Sequence, residues 1–387
     1  MDVKKVILVC FVITCFPNML IAKPVDPIEQ TQKEQIDALP LETLEKEWEE
    51  WKKSYESINS ELSSFSFSDL IQNSISLKEI LLLFVRLFFQ EWIAQSKLFI
   101  TLTLLLLFSS FLKLLHQSFQ STHVQTISYI CIFILLFITV FESFQRVIDQ
   151  IVVNIDTMVS MMITFIPLYL SLMFSTGQVL SATFFHPFLI FFLNIISFLV
   201  QKWLVPLLVI AAFLHLFSQL SPHTSMKKLA ILLRQIVFTT LSVVFAIVLA
   251  VSSIRGATTS VGDGVALKTV KFMTGNFIPV IGKFFQEATD TVFSTSILLK
   301  NTIGVAGLLF LTFILISPII KIAVIAFMYR VVSALLQPIG EEKLVECVDL
   351  SGMYIFYFLG LLLFVSFLFF LMISILMISG NIMMMVK

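Results

Sequence analysis

Apolar residues come in long runs along most of this chain, broken by short polar punctuation. The first run, Val6–Phe16, follows Lys4 and Lys5 and is too short to span a bilayer. Pro17 and Asn18 break it, and Leu20-Ile21-Ala22 ends on a small residue. That pattern reads as a signal peptide with cleavage between Ala22 and Lys23, so the following segment is expected outside the cytoplasm. An uncleaved first anchor is the alternative and leads to the same side.

A different pattern occupies residues 41–65. Leu41, Leu44, Trp48, Trp51, Tyr55, Ile58, Leu62 and Phe65 alternate spacings of three and four, which is an a/d heptad stripe on a helix. Glu42, Glu45, Glu47, Glu49 and Glu50 make its other faces polar. The stripe fits a partner helix or the membrane domain, and its tryptophans also fit the headgroup layer. Acidic polar faces favour packing on protein, because anionic lipid prefers basic helices. The serine-rich stretch 57–68 reads as a linker.

From Ser76-Leu77-Lys78-Glu79, a capping box, the pattern is that of a membrane bundle. Ile80–Gln95 carries Arg86, Gln90 and Glu91 and reads as interfacial or partly embedded. Spanning segments near the required ~20 residues are predicted at Leu98–Leu115, Val124–Phe144, Met158–Thr176, Phe184–Val200, Trp203–Leu220, Leu229–Ile254, Ile303–Tyr329 and Met353–Ile378. The expected fold is all-α: a polytopic membrane helical bundle of about 7–8 spans. It carries an N-terminal signal peptide (1–22) and an acidic extracytoplasmic segment (23–79) with a short amphipathic helix; the membrane domain occupies 80–387.

Composition agrees and adds one split. The chain is 58% hydrophobic and 13% charged, with a mean hydropathy of +0.98 and 41 phenylalanines in 387 residues. Soluble domains carry roughly 25% charge, so this surface cannot be covered with polar groups. Formal net charge is zero, but residues 23–79 hold 13 acids and 6 bases, while the remainder is mildly basic. No basic excess exists to neutralise phosphates, which argues against nucleic-acid binding. The four cysteines (Cys10, Cys15, Cys131 and Cys347) have no metal-ligand spacing.

Residues 256–302 are too polar for one span and too apolar for a plain loop. Gly262, Gly264, Gly275, Pro279 and Gly282 punctuate them, and a helical periodicity starts at Pro279. A broken or re-entrant element lining a polar cavity is one reading. A surface helix bridging two spans is the other. Lys268, Lys271, Asn276, Lys283, Glu287, Asp290, Lys300 and Asn301 are the candidate cavity or interface residues, with Glu287 and Asp290 foremost. Positive-inside counting does not settle the side on which the segment lies, because it carries Arg255, Lys268, Lys271, Lys283 and Lys300 where few bases are expected.

No enzyme signature is present in the pattern. Gly275 to Lys283 fails as a phosphate loop, because six residues separate Gly275 from Gly282 and Phe284 follows Lys283. The five histidines make no HExxH, and Gly262-Asp263-Gly264 extends to no longer motif. No catalytic residue, cofactor or metal is predicted.

The run Leu267–Val280, then Ala288-Thr289-Asp290-Thr291-Val292 and Leu298–Gly304, resembles the stage III sporulation protein AE family of endospore-forming Firmicutes. Leu336-Gln337-Pro338 and Gly380-Asn381 extend the resemblance, and Glu341-Glu342-Lys343 depart from the glycine-rich loop expected after Gly340. The resemblance implies a non-enzymatic membrane subunit of a channel or secretion-like complex joining mother cell and forespore after engulfment. It implies a place in the mother-cell-derived outer forespore membrane and a role in late forespore development. Implied partners are the other proteins of the stage III A operon, an ATPase and single-span ring-forming subunits, together with the forespore stage II sporulation protein Q. A stand-alone secondary transporter of a small solute is the rival reading.

Overall fold

The computed structural model describes residues 77–119, 122–219, 226–277 and 281–385. Within them the chain forms eight α-helices and no strand. They are α1 (Leu77–Ala94), α2 (Ser96–Phe119), α3 (Thr122–Ser175), α4 (Val179–Leu199), α5 (Val205–Phe217), α6 (Lys227–Phe277), α7 (Ile281–Leu336) and α8 (Glu342–Met385), with a π-turn, Val200–Leu204, between α4 and α5. The cleavage site at Ala22 and Lys23 and the heptad helix from Leu41 to Leu62 lie outside the described residues.

Among the described residues, six stretches are long and apolar enough to cross a bilayer: Ser96–Leu114, Ile127–Ser175, Val179–Phe217, Lys227–Ile254, Lys300–Leu336 and Glu342–Met377. Two pairs of separately predicted spans are therefore continuous. Val124–Phe144 and Met158–Thr176 both belong to α3, and Phe184–Val200 and Trp203–Leu220 form one α4–α5 rod. The polar stretch from Glu142 to Asp156 lowers hydropathy and suggests a loop. Its apolar residues nevertheless keep helical spacing, and Phe144, Val147, Ile151, Ile155 and Met158 are all buried. In the second rod Pro206 supplies no N–H to the preceding turn. The backbone answers with a π-turn, in which Val205 N–H donates to the Val200 carbonyl, and the helix continues.

α7 and α8 form the centre. More than half of their apolar windows is buried, 61% and 56%, against 22% for α6. Small residues set the close approaches. A Cβ on Gly307 would stand 2.7 Å from the Phe165 ring, and one on Gly352 would stand 2.9 Å from Tyr329 Cβ. Gly307 against Phe165, and Tyr329 bonded to Ser143, also fix the register: α7 runs antiparallel to α3. α8 runs antiparallel to α7, since Gly304 meets Met377 and Arg330 meets Asp349.

Charges bracket a slab across these helices. Arg234 and Arg255 on α6 are twenty-one residues apart with no charge between them, and so are Lys300 and Lys321 on α7. Each interval is about 31 Å of helix, the thickness of a bilayer core. On α3 the charge-free stretch starts after Asp156 and runs to the helix end at Ser175.

Candidate functional site

The two ends of the bundle treat their polar groups differently. At the end formed by the α5–α6 and α7–α8 connections, partners are close. Tyr329 Oη donates to Ser143 Oγ at 2.9 Å. His215 Nδ1 and Tyr354 Oη lie 3.2 Å apart. Arg234 donates to Tyr357 Oη at 2.5 Å, and Arg330 to Asp349 at 2.7 Å. Gln219 reaches Glu346 at 3.1 Å.

The opposite end is built around the α3–α4 turn. α3 closes in a Schellman motif, with Gln178 N–H donating to the Met173 carbonyl and Gly177 N–H to the Phe174 carbonyl. Gly177 takes φ +70°, the left-handed conformation this motif requires. Gln178 is the N-cap of α4 but makes no side-chain cap. The cap comes from another helix. Asp263 of α6 accepts from Leu180 N–H through Oδ1 at 2.8 Å and from Ser181 N–H through Oδ2 at 3.0 Å. A carboxylate at a helix N-terminus satisfies orphan donors and opposes the helix dipole. Gly262 makes the contact possible, because a Cβ there would stand 2.9 Å from Leu180 Cδ1.

Around this cap lie buried polar groups without partners. Tyr169 Oη, both polar atoms of the Gln178 amide, Ser181 Oγ, Lys300 Nζ and Asn301 Oδ1 have no hydrogen-bond partner. Lys300 is 0% exposed. Gly307 meets Phe165, so Lys300, two turns earlier on α7, comes level with Leu172 of α3, six residues before Gln178. Tyr169 stacks on Phe165 at 5.6 Å, one turn along the same face of α3. Six of the nine buried unpartnered side-chain atoms among the described residues therefore fall at this end of the bundle. At the other end Tyr129 Oη and His215 Nε2 are unpartnered, and Asn154 Oδ1 lies between.

Beyond this layer α6 and α7 continue as helices on both sides of residues 278–280, the neighbourhood of Pro279. Of the candidate residues, Lys300 and Asn301 join the polar layer, and Lys268 is exposed farther along α6. Lys271 and Asn276 fall in α6, and Lys283, Glu287 and Asp290 in α7; their side chains lie outside the described detail. Asp263 was not among the candidates. Its signal was available: it stands between two glycines and is the one acid of α6. Among the described residues no group of three or more metal-ligating side chains occurs.

A family model described as stage III sporulation protein AE matches residues 63–380, a stretch that takes in α1 to α7 and most of α8. The chain belongs to the stage III sporulation protein AE family. It is 40% identical over 299 residues to stage III sporulation protein AE of Bacillus subtilis (strain 168), covering 77% of this chain and 75% of that protein. No solved structure matches the chain. With its six apolar helices, this member of the family is a sporulation-related membrane protein. The family match extends over the helices that carry Tyr169, Gln178, Ser181, Asp263, Lys300 and Asn301.

Proposed function

We propose that the protein is a non-enzymatic, membrane-embedded subunit of a channel or secretion-like complex that connects mother cell and forespore. In this reading it sits in the mother-cell-derived outer forespore membrane and supports late forespore development. Its partners are the other stage III A operon proteins, the ATPase and ring-forming subunits among them, and the forespore stage II Q protein. The observation that carries the reading is the family match over residues 63–380. The unpartnered layer supports it: a buried lysine without an acceptor among the described residues is costly in isolation and suits a subunit completed by neighbours or by water in a conduit. The signal peptide delivers residues 23–79 across the membrane, and the heptad stripe Leu41–Leu62 meets the exported parts of partners. Glu287 and Asp290 serve the same assembly from the first turns of α7.

Purification of the tagged full chain from sporulating cells in mild detergent tests this. Recovery of the ATPase and ring-forming subunits with it is the expected result. Recovery alone, together with solute uptake into liposomes carrying the pure protein, would favour a stand-alone transporter and overturn the proposal. Glu287→Ala and Asp290→Ala are expected to lower spore counts at unchanged protein level. Normal sporulation in both variants would remove these two acids from the account.

A further inference from the structure

Three buried side chains converge on the α3–α4 turn, and their donors outnumber their acceptors. Lys300 stands two turns before Gly307 on α7, and Leu172 two turns after Phe165 on α3, so each keeps the face on which Gly307 and Phe165 meet. Helix side chains lean toward their own N-terminus, so the Lys300 stem runs along α7 from the level of Leu172 toward the turn. Gln178 comes to the same place from the other side. In the Schellman motif that ends α3, the residue after Gly177 packs back on the third and fourth residues from the helix end, here Met173 and Leu172. Asp263 caps α4, so the Gln178 amide is not spent on that task. Ser181 is the third residue of α4, a position that lies beside the N-cap.

The other unpartnered groups of the layer point elsewhere. Tyr169 leans back toward Phe165, on which it stacks, and Asn301 stands three residues before Gly304, on the side of Met377 of α8. Lys300 Nζ, Gln178 Nε2 and Ser181 Oγ therefore remain as the donors of the turn, in residues 0%, 1% and 0% exposed and without partners. Buried polar groups in folded proteins are paired, and exceptions of this kind mark sites of water or ions. The lysine discriminates between the two. Water or the Gln178 carbonyl oxygen can accept from an ammonium, but neither carries charge, and an uncompensated buried cation costs far more than an unpaired neutral group. Asp263 is engaged by the Leu180 and Ser181 amides, while Lys300 Nζ has no acceptor. Groups sealed from the surface on three elements admit an ion of a few atoms and exclude a partner helix or a lipid headgroup.

We infer that the α3–α4 turn is a binding site for a small monovalent anion, a halide or a short carboxylate, held between Lys300, Gln178 and Ser181. Lys300 supplies the compensating charge through a charge-assisted hydrogen bond, the strong kind. The Gln178 amide and the Ser181 hydroxyl supply neutral donors that fix the ion's position. The inference rests on the polar layer being a ligand site, as the proposed function reads it, and not on the complex in which the protein works.

The test uses the full chain purified in mild detergent and sodium gluconate, with radiolabelled chloride as the probe and formate as the competitor. The expected result is saturable chloride binding, displaced by formate and not by gluconate. Melting should rise by about 5 °C at about a hundred times the chloride Kd. Lys300→Met should weaken chloride binding at least tenfold and abolish the melting shift. Lys202→Met, at an exposed lysine of the π-turn, should leave both unchanged. In gluconate Lys300→Met should melt above the wild type, and chloride should narrow that gap. Gln178→Glu sets a carboxylate beside Lys300, so it should melt above the wild type in gluconate and ignore chloride. This variant decides the matter should Lys300→Met fail to accumulate. Tighter binding of chloride than of formate makes the ion a halide, and the reverse makes it a carboxylate. No saturable binding to the wild type, binding that survives Lys300→Met, or a chloride response retained in Gln178→Glu would each overturn the inference. No partner protein enters these readouts, so their failure would leave the copurification result standing.

Discussion

The end of the bundle at Tyr329, Arg234 and Arg330 and the end at Asp263 and Lys300 are made of the same helices, yet one is closed and the other is not. At the first end hydroxyls, guanidinia and carboxylates meet at 2.5–3.2 Å. At the second, Asp263 is saturated by two backbone donors while Lys300, Gln178, Ser181, Tyr169 and Asn301 have no partner. A fold selected only for stability would bury apolar groups there instead, since replacing buried charge by hydrophobes is commonly neutral or stabilising. The difference separates an end whose buried polar groups are mostly paired from one whose buried polar groups are mostly not.

Three substitutions test that contrast, in order of expected size. Asp263→Ala removes one acid from a buried and a part-buried amide donor and should lower thermal stability by about 2 kcal/mol, read from thermal unfolding in detergent. A loss below ~0.5 kcal/mol would mean that the α4 terminus is hydrated and the cap dispensable. Tyr329→Phe, at the closed end, deletes a buried hydrogen bond to Ser143 and should cost about 1 kcal/mol in the same assay, with sporulation intact. Arg330→Gln should cost least, ~0.5 kcal/mol, because the pair with Asp349 is about 40% exposed. A sporulation defect in either closed-end variant at normal protein level would erase the distinction between the ends.

Much of this was readable beforehand, and the misses have physical causes. Run lengths of apolar residues put a predicted span on each of the six long apolar stretches among the described residues, though as eight spans and not six, and Lys300 and Asn301 stood out as polar residues where a span begins. Hydropathy failed between Phe144 and Met158, because a window average sees Glu142, Arg146, Asp149 and Asp156 but not that Val147, Ile151 and Ile155 hold one buried face. At Gln201 and Lys202 the two polar residues divide one apolar run into two predicted spans, Phe184–Val200 and Trp203–Leu220, where a π-turn keeps the rod intact. Asp263 was passed over because its partners are backbone amides eighty-two and eighty-three residues away, and no local pattern encodes them. The contrast between the paired and unpaired ends is likewise a long-range property, set by which helices face one another.

Lys300→Met decides most directly whether the open end is a working one. Methionine matches the length of the lysine stem and removes the unpartnered ammonium. The account predicts an isolated protein more stable by about 1–2 kcal/mol, present at wild-type level in the membrane, and a drop in heat-resistant spores of at least tenfold. Normal spore counts with the stabilised protein would contradict it, and would make Lys300 a tolerated burial instead of a functional group.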